Sequence, residues 1–88
     1  MLRIENSWEG RTRILHLSGR IRAEDLFVLQ MECEKLDTVP VLDLEEIQLV
    51  DEAAVRFLAD CESHGAVLRH CPGYISEWIR RERESKSI

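Results

Sequence analysis

The sequence predicts an α/β fold with a four-stranded mixed sheet and helices mainly on one face. Two observations predict it. Two kinds of stretch alternate along the chain. Some are short and show either strand-type alternation or a compact apolar run, and in the others the apolar residues recur every three or four positions. Glycine or proline separates most of these stretches. In order they give β-β-α-β-α-β-α. A chain of 88 residues favours one domain, which we predict to span 1–81, followed by a polar tail at 82–88.

A hairpin opens the predicted sheet. Residues 2–6 alternate apolar and polar side chains, and residues 7–11 contain a glycine that favours a hairpin turn. Residues 12–17 form the second strand. Leu15 and Leu17 share one face of it, because successive side chains of a strand point to opposite faces.

Two crossover units follow the hairpin. A helix is predicted over residues 23–36 and a short central strand over residues 41–44. Asp51 is the predicted N-cap of a second helix over residues 52–64, which Gly65 ends. The buried stripe of the first helix consists of Leu26, Leu29, Cys33 and Leu36.

The last predicted strand covers residues 66–70, and Pro72 and Gly73 begin a final helix. Ile75 and Ile79 lie on the apolar face of that helix. A right-handed crossover is the rule for parallel strands of one sheet. We therefore expect the helices to lie on one side of the sheet.

Charge and composition exclude several function classes. The net charge is −5, whereas a nucleic-acid surface needs a basic stripe that displaces counterions. We therefore expect no nucleic-acid partner. The first residues carry charges where a signal peptide needs an apolar run, and the longest apolar runs are too short to span a bilayer. We expect a cytoplasmic protein that does not insert into a membrane and whose three cysteines are thiols.

The sequence contains no recognisable catalytic motif. Its serines lack a nucleophile elbow, and its three histidines fall on separate elements. A zinc site built from Cys61, His64, His70 and Cys71 is the obvious metal hypothesis. Cys61 falls on a buried helix stripe, and the adjacent His70 and Cys71 diverge to opposite faces of a strand. We therefore expect no metal, no cofactor and no enzymatic activity.

Three segments in order resemble the STAS family, the domains of sulfate transporters and anti-sigma factor antagonists. LHLSGRI at 15–21 is similar to the family's second strand and its exit, and VLDL at 41–44 is similar to its central strand. LVDEAAVRFL at 49–58 is similar to its switch segment, which carries a hydroxyl residue at the start of a helix. The likeness covers nearly all of the chain. It implies a bacterial regulatory module of transcription that binds an anti-sigma factor or a kinase-like protein.

The resemblance also implies where a partner binds, and it includes two departures. Glu52 and Ala53 stand where the family has the hydroxyl residue that a kinase phosphorylates. Arg22 stands where the family usually has an aspartate. We therefore expect a member without a phosphorylation switch. The expected partner-binding residues are Arg22, Asp51, Glu52, Ala53 and Arg56.

Two features keep alternatives open. Glu52 is either a permanent substitute for a phosphate or an ordinary acid in the first turn of a helix, where it favours the helix dipole. Phe27 and Met31 lie opposite the buried stripe of the first helix. They are either an exposed second interface or covered by a rotated helix or a neighbouring loop. An exposed pair would suit a structural subunit of a transporter or signalling assembly, or a homodimer.

Overall fold

Four strands form one mixed sheet with the strand order β1-β2-β3-β4. The structure is a computed structural model, and it describes residues 1–35 and 39–85. A short 3-10 turn, Ala23–Asp25, precedes the first helix. The predicted α/β fold class is confirmed. The elements are β1 (Leu2–Glu9), β2 (Thr12–Ile21), α1 (Leu26–Glu34), β3 (Val41–Val50), α2 (Glu52–Ser63), β4 (Val67–Arg69) and α3 (Gly73–Ser85).

The hairpin is longer than the sequence predicts. Strands β1 and β2 pair antiparallel from Leu2 opposite Gly19 to Glu9 opposite Thr12. Only Gly10 and Arg11 remain for the turn, where a turn over residues 7–11 is predicted. The reason is the φ of +63° at Gly10, because a positive φ allows a two-residue hairpin connection.

Strand β3 is also longer than the predicted 41–44. It runs parallel to β2, and its register shifts twice, between the partners of His16 and Ser18 and again between those of Gly19 and Arg20. Each shift inserts one extra residue into β3, which interrupts strict alternation. As a result Leu44, Ile47 and Val50, three positions apart, all enter the core. Because these core residues are three positions apart, this part of β3 lacks the two-residue apolar periodicity by which a strand is recognised in a sequence.

The core lies between one face of the sheet and the three helices. Strands β2–β3 and β3–β4 are parallel pairs, joined by crossovers that contain α1 and α2. Residues from all three helices pack on the same side chains of the sheet. The fully buried core includes Leu15, Leu17, Leu42 and Leu44 from strands and Leu29, Val55, Leu58 and Ile75 from helices. The alternate residues of the strands lie on the other face of the sheet, among them Ile14, His16 and Asp43.

The first and last helices differ from their predicted bounds. The stretch predicted to be helical from residue 23 begins as a 3-10 turn, and Leu36 of its predicted stripe lies outside the described residues. At the other end α3 continues to Ser85, so the first residues of the predicted polar tail are helical. Ion pairs between helices account for this extension, because Glu82 contacts Arg56 of α2. In the part of the chain that is described, no helix is both long and apolar enough to cross a membrane.

Gly19 allows the chain to start close to β2. Its φ is +90°, and a Cβ at this position would lie 2.2 Å from the carbonyl oxygen of Met1. Any other residue would meet both a disfavoured backbone conformation and a backbone clash. The glycine of the resemblance segment therefore has a structural reason in this chain.

Candidate functional site

Asp51 forms hydrogen bonds with both of the loops that follow the carboxyl ends of β2 and β3. Its Oδ1 accepts a hydrogen bond from the Ala54 amide at 2.9 Å, which confirms the predicted N-cap of α2. Its Oδ2 accepts from the Ala23 amide at 2.9 Å, and its own amide donates to the Ile21 carbonyl at 3.2 Å. The link from Asp51 to Ala23 joins residues far apart in sequence. No local sequence pattern could have predicted it.

The five predicted partner-binding residues lie around this double link. Arg22 is exposed and pairs with Glu24, with 3.0 Å between Nε and Oε1. Glu52 is exposed and pairs with Arg56 one turn further along α2. Ala53 is half-buried beside them. Arg56 also lies 3.4 Å from Glu82 of α3, so its charge is shared between two acids. We call these five residues, Arg22, Asp51, Glu52, Ala53 and Arg56, the loop edge.

The outer face of α1 is apolar and exposed. The exposed fractions are 73% for Phe27, 54% for Val28 and 51% for Met31. Leu29 on the inner face is fully buried. The helix is therefore not rotated, and the alternative in which other residues cover Phe27 and Met31 is wrong. Because the 3-10 turn that Asp51 anchors leads directly into α1, this outer face begins next to the loop edge.

The open face of the sheet contains a polar cluster around Asp43. Only 6% of this residue is exposed. Its Oδ1 accepts from the Glu45 amide at 3.1 Å, and its other neighbours are more distant. His70 Nδ1 lies 3.4 Å from Oδ1, while Arg69 Nη2 and His16 Nδ1 lie 3.4 and 3.3 Å from Oδ2. Burial raises the pKa of Asp43, but the Glu45 amide and His70 outweigh burial and hold this pKa below its ordinary value.

Sequence reasoning missed this cluster, although a signal for it existed. An aspartate inside the apolar run VLDL must either pair or be solvated, because an isolated buried carboxylate is costly. Parallel pairing of β3 with β4 sets Asp43 opposite Arg69, one residue before His70. The predicted strands contain Asp43, Arg69 and His70, but only the register of β3 against β4 brings their side chains together.

Ser7, His16 and Asp43 form a line across three strands of the open face. The hydroxyl of Ser7 lies 2.9 Å from His16 Nε2, and the opposite ring nitrogen faces Asp43. A hydrolase triad has the same order of residues. The 3.3 Å between His16 Nδ1 and Asp43 Oδ2 exceeds the roughly 2.7–2.9 Å of a charge-assisted bond. We therefore assign this trio no catalytic role.

The structure does not bring the four residues of the zinc hypothesis together. Cys61 and Cys33 are free thiols that share a hydrogen bond, and this contact lowers the pKa of Cys33 and raises that of Cys61. His64 lies at the end of α2, with Nδ1 2.8 Å from the Asp60 carbonyl oxygen. His70 turns instead to Asp43. The remaining thiol, Cys71, is half-buried, and burial raises its pKa.

Comparison with known proteins adds no identity to this geometry. Neither a known protein family nor a curated protein matches the chain. The function must therefore be argued from the residues themselves.

Proposed function

We propose that this chain is a regulatory protein-binding module of the STAS type that acts without a phosphorylation switch. The observation that carries the proposal is the double hydrogen bond of Asp51 to Ala23 and Ala54. It holds the loop edge in place next to the 3-10 turn that leads into α1. The expected partner is an anti-sigma factor or a kinase-like protein, as the resemblance implies.

Rigidity of the loop edge supports binding. A partner that docks on loops must otherwise order them, at a cost of about 0.5–1.5 kcal/mol for each immobilised flexible side chain. Here both loops are already held by Asp51, and Arg22 and Glu52 project from them. The surface therefore loses little conformational freedom when a partner binds.

The composition of the surface also supports a protein partner. Protein interfaces combine apolar anchors with a polar rim. The outer face of α1 supplies the anchors Phe27 and Met31, each more than half exposed. The loop edge supplies the rim, with charges of both signs. Phe27 is the most exposed of these apolar side chains, and we expect it to contribute most to binding.

The lack of a phosphorylation switch follows from the residues at the start of α2. Glu52 and Ala53 have no hydroxyl group that could accept a phosphate. Glu52 resembles a phosphate only in its charge, and Arg56 pairs with that charge. We propose that Glu52 acts mainly as a first-turn acid of α2. Regulation of binding must then come from partner concentration or partner competition.

Identification of the partner and measurement of its affinity together test this proposal. The tagged chain would be cross-linked in extract of its source cells, and the captured protein identified, purified and titrated against the wild-type chain. We expect Phe27→Ser and Arg22→Glu each to weaken binding at least 30-fold, the effect of losing an interface residue worth about 2 kcal/mol. Val67→Ser is the matched control, because Val67 is 57% exposed but lies on β4.

Two outcomes would contradict the proposal. One is an affinity that Phe27→Ser and Arg22→Glu leave within about twofold of the wild-type value. The other is a chain that dimerises in light scattering and loses its dimer with Phe27→Ser, with no purified partner able to compete. That second result would support the alternative, in which Phe27 and Met31 form a homodimer contact.

A further inference from the structure

The open face of the sheet brings three potential metal ligands to one point. They are Asp43, Glu45 and His70, and one donor atom of each lies within 4.8 Å of the other two. His70 Nδ1 is 3.4 Å from Asp43 Oδ1 and 3.7 Å from Glu45 Oε2. The donors are one imidazole nitrogen and two carboxylate oxygens, a set typical of zinc and related transition metals. From this spacing we propose that Asp43, Glu45 and His70 bind a divalent cation of the zinc class.

The spacing of the donors is compatible with a shared cation. An N–H···O bond is most often about 2.9–3.0 Å long. Two ligands of one tetrahedral Zn²⁺, each about 2.0–2.1 Å from the metal, lie about 3.3–3.4 Å apart. The distance of 3.4 Å between His70 Nδ1 and Asp43 Oδ1 agrees with the second value. A small rotation of the exposed Glu45 side chain would bring its 3.7 Å distance to the same value.

The burial of Asp43 also favours a ligand. Its side chain is only 7% exposed, so water solvates it little. An ionised carboxylate can accept about four hydrogen bonds. The one contact below 3.2 Å that the described residues give Asp43 is the Glu45 amide, and the side chains around it stay at 3.3–3.4 Å. We expect a divalent cation beside Oδ1 to stabilise this buried carboxylate further.

The backbone holds the ligands in place before any metal binds. Among the described residues, His70 is the one non-glycine residue with a positive φ, at 54°. That conformation is unfavourable for most side chains, and here it directs the ring of His70 towards Asp43 just after β4 ends. The bond from the Glu45 amide to Asp43 fixes the two acids relative to each other. Such pre-organisation is what a metal site requires.

Charge around the cluster also favours a cation. Glu9, Asp43 and Glu45 are acids, and Arg69 is the cation that contacts two of them. With neutral histidines these four residues carry a net charge of −2. Arg69 meets Asp43 at Oδ2, while the proposed metal would use Oδ1. The Arg69 guanidinium therefore contacts the Asp43 carboxylate at the oxygen that the metal would not use. Because Glu45 and His70 are exposed, solvent can supply the remaining ligand.

Titration of the reduced, metal-free full chain with ZnCl₂ and with CoCl₂ tests the proposal. Calorimetry measures the stoichiometry and affinity of Zn²⁺, and the visible absorption of Co²⁺ reports its coordination. We expect one Zn²⁺ per chain, tetrahedral Co²⁺ without a thiolate charge-transfer band, and a rise in thermal midpoint on metal binding. His70→Ala and Glu45→Gln should each weaken Zn²⁺ binding at least tenfold, and both residues are exposed enough for the variants to fold.

His64→Ala is the matched control, since His64 is also exposed and also lies beside an acid, Asp60. Zinc affinity within twofold of the wild type in this variant supports the assignment. Three results would overturn it. They are no stoichiometric Zn²⁺ binding, an affinity that His70→Ala and Glu45→Gln leave unchanged, or a thiolate band that places Co²⁺ on cysteine. The site lies on the sheet face away from the helices, so its failure would not affect the proposed protein-binding surface.

Discussion

Among the described residues, each face of the sheet buries one charged side chain, and the contacts of the two differ in length. Arg13, 4% exposed, lies on the side of the helices, and Asp43, 6% exposed, lies on the open side. Arg13 donates to Asn6 at 2.8 Å, to the Glu32 carbonyl at 2.6 Å and to the Glu32 carboxylate at 3.0 Å. Most contacts of Asp43 are 3.3 Å or longer.

This difference separates a structural charge from a site that can take a ligand. Removing a buried charge that makes short bonds leaves the partners of those bonds without them. Longer contacts are weaker, so a ligand can replace them more readily. Burial alone would have ranked Arg13 and Asp43 together, whereas bond lengths distinguish their roles.

The largest effect is expected at Arg13. Arg13→Met removes the cation, leaves the Glu32 carbonyl and the Asn6 side chain without this donor, and leaves Lys35 as the remaining cation at the Glu32 carboxylate. We expect a loss of about 3 kcal/mol in the free energy of unfolding. Urea denaturation monitored by circular dichroism measures it. Arg80→Met is the control, because Arg80 forms an exposed pair with Glu77 and should change stability by less than about 0.5 kcal/mol. Equal effects of the two variants would mean that the Arg13 bonds do not stabilise the fold.

Asp51 is only half-buried, but its hydrogen bonds are short, so we expect its replacement to be destabilising too. Asp51→Ala removes the cap of α2 and the link to Ala23, and we expect the free energy of unfolding to fall by about 2 kcal/mol. Asp60→Ala, on the same helix but exposed, should change it by less than about 0.5 kcal/mol. Asp51→Asn keeps a capping oxygen and should recover more than half of the loss. A cost below about 1 kcal/mol for Asp51→Ala would show that the link to Ala23 contributes little.

Replacement of Asp43 should destabilise the metal-free protein less than replacement of Arg13, although the two side chains are similarly buried. Asp43→Asn keeps the shape of the side chain and loses long contacts only, so we expect a loss of about 1 kcal/mol in the free energy of unfolding. The same urea experiment, run with a chelator present, measures it. A loss of 3 kcal/mol or more, as large as at Arg13, would contradict the distinction drawn from bond lengths.

The smallest effect is the pH dependence of that loss. The folded pKa of Asp43 lies below its unfolded value, so the charged side chain contributes stability above the unfolded pKa of about 3.9. That contribution disappears as the pH falls through the folded pKa. The difference in unfolding free energy between wild type and Asp43→Asn should therefore decline as the pH falls below about 4. A difference that grows below about pH 4 would mean that the pKa is raised instead.

The sequence predicted the order of the elements because that order depends on local patterns. Apolar periodicity, the capping aspartate and the glycines are all visible within a few residues. The full length of β3 was not, because two bulges give Leu44, Ile47 and Val50 a spacing that resembles neither a strand nor a regular helix. The helical start of the predicted tail was missed for a related reason. Contacts from Glu82 to Arg56 stabilise it, and they depend on how α2 and α3 pack.

The predicted site residues were located by resemblance, and their physical connection came from the structure. Arg22 and Glu52 could be named from the sequence, yet nothing local showed that Asp51 holds both of their loops. Phe27 and Met31 were suspected from helical spacing alone. Their exposure required the position of Leu29 in the core to be known. The cluster at Asp43 depends on the register of β3 against β4, which a sequence pattern specifies only weakly.

The two bonds of Asp51 also have a consequence for motion. The amides of Ala23 and Ala54 donate to the two oxygens of one carboxylate. Rotation of that single side chain would release both amides in the same event. Their hydrogen-exchange rates should therefore rise and fall together, although the two residues belong to different crossovers. A molecule bound to either loop would therefore also slow amide hydrogen exchange in the other loop. Binding at one part of the loop edge would in this way restrict motion in the rest of it.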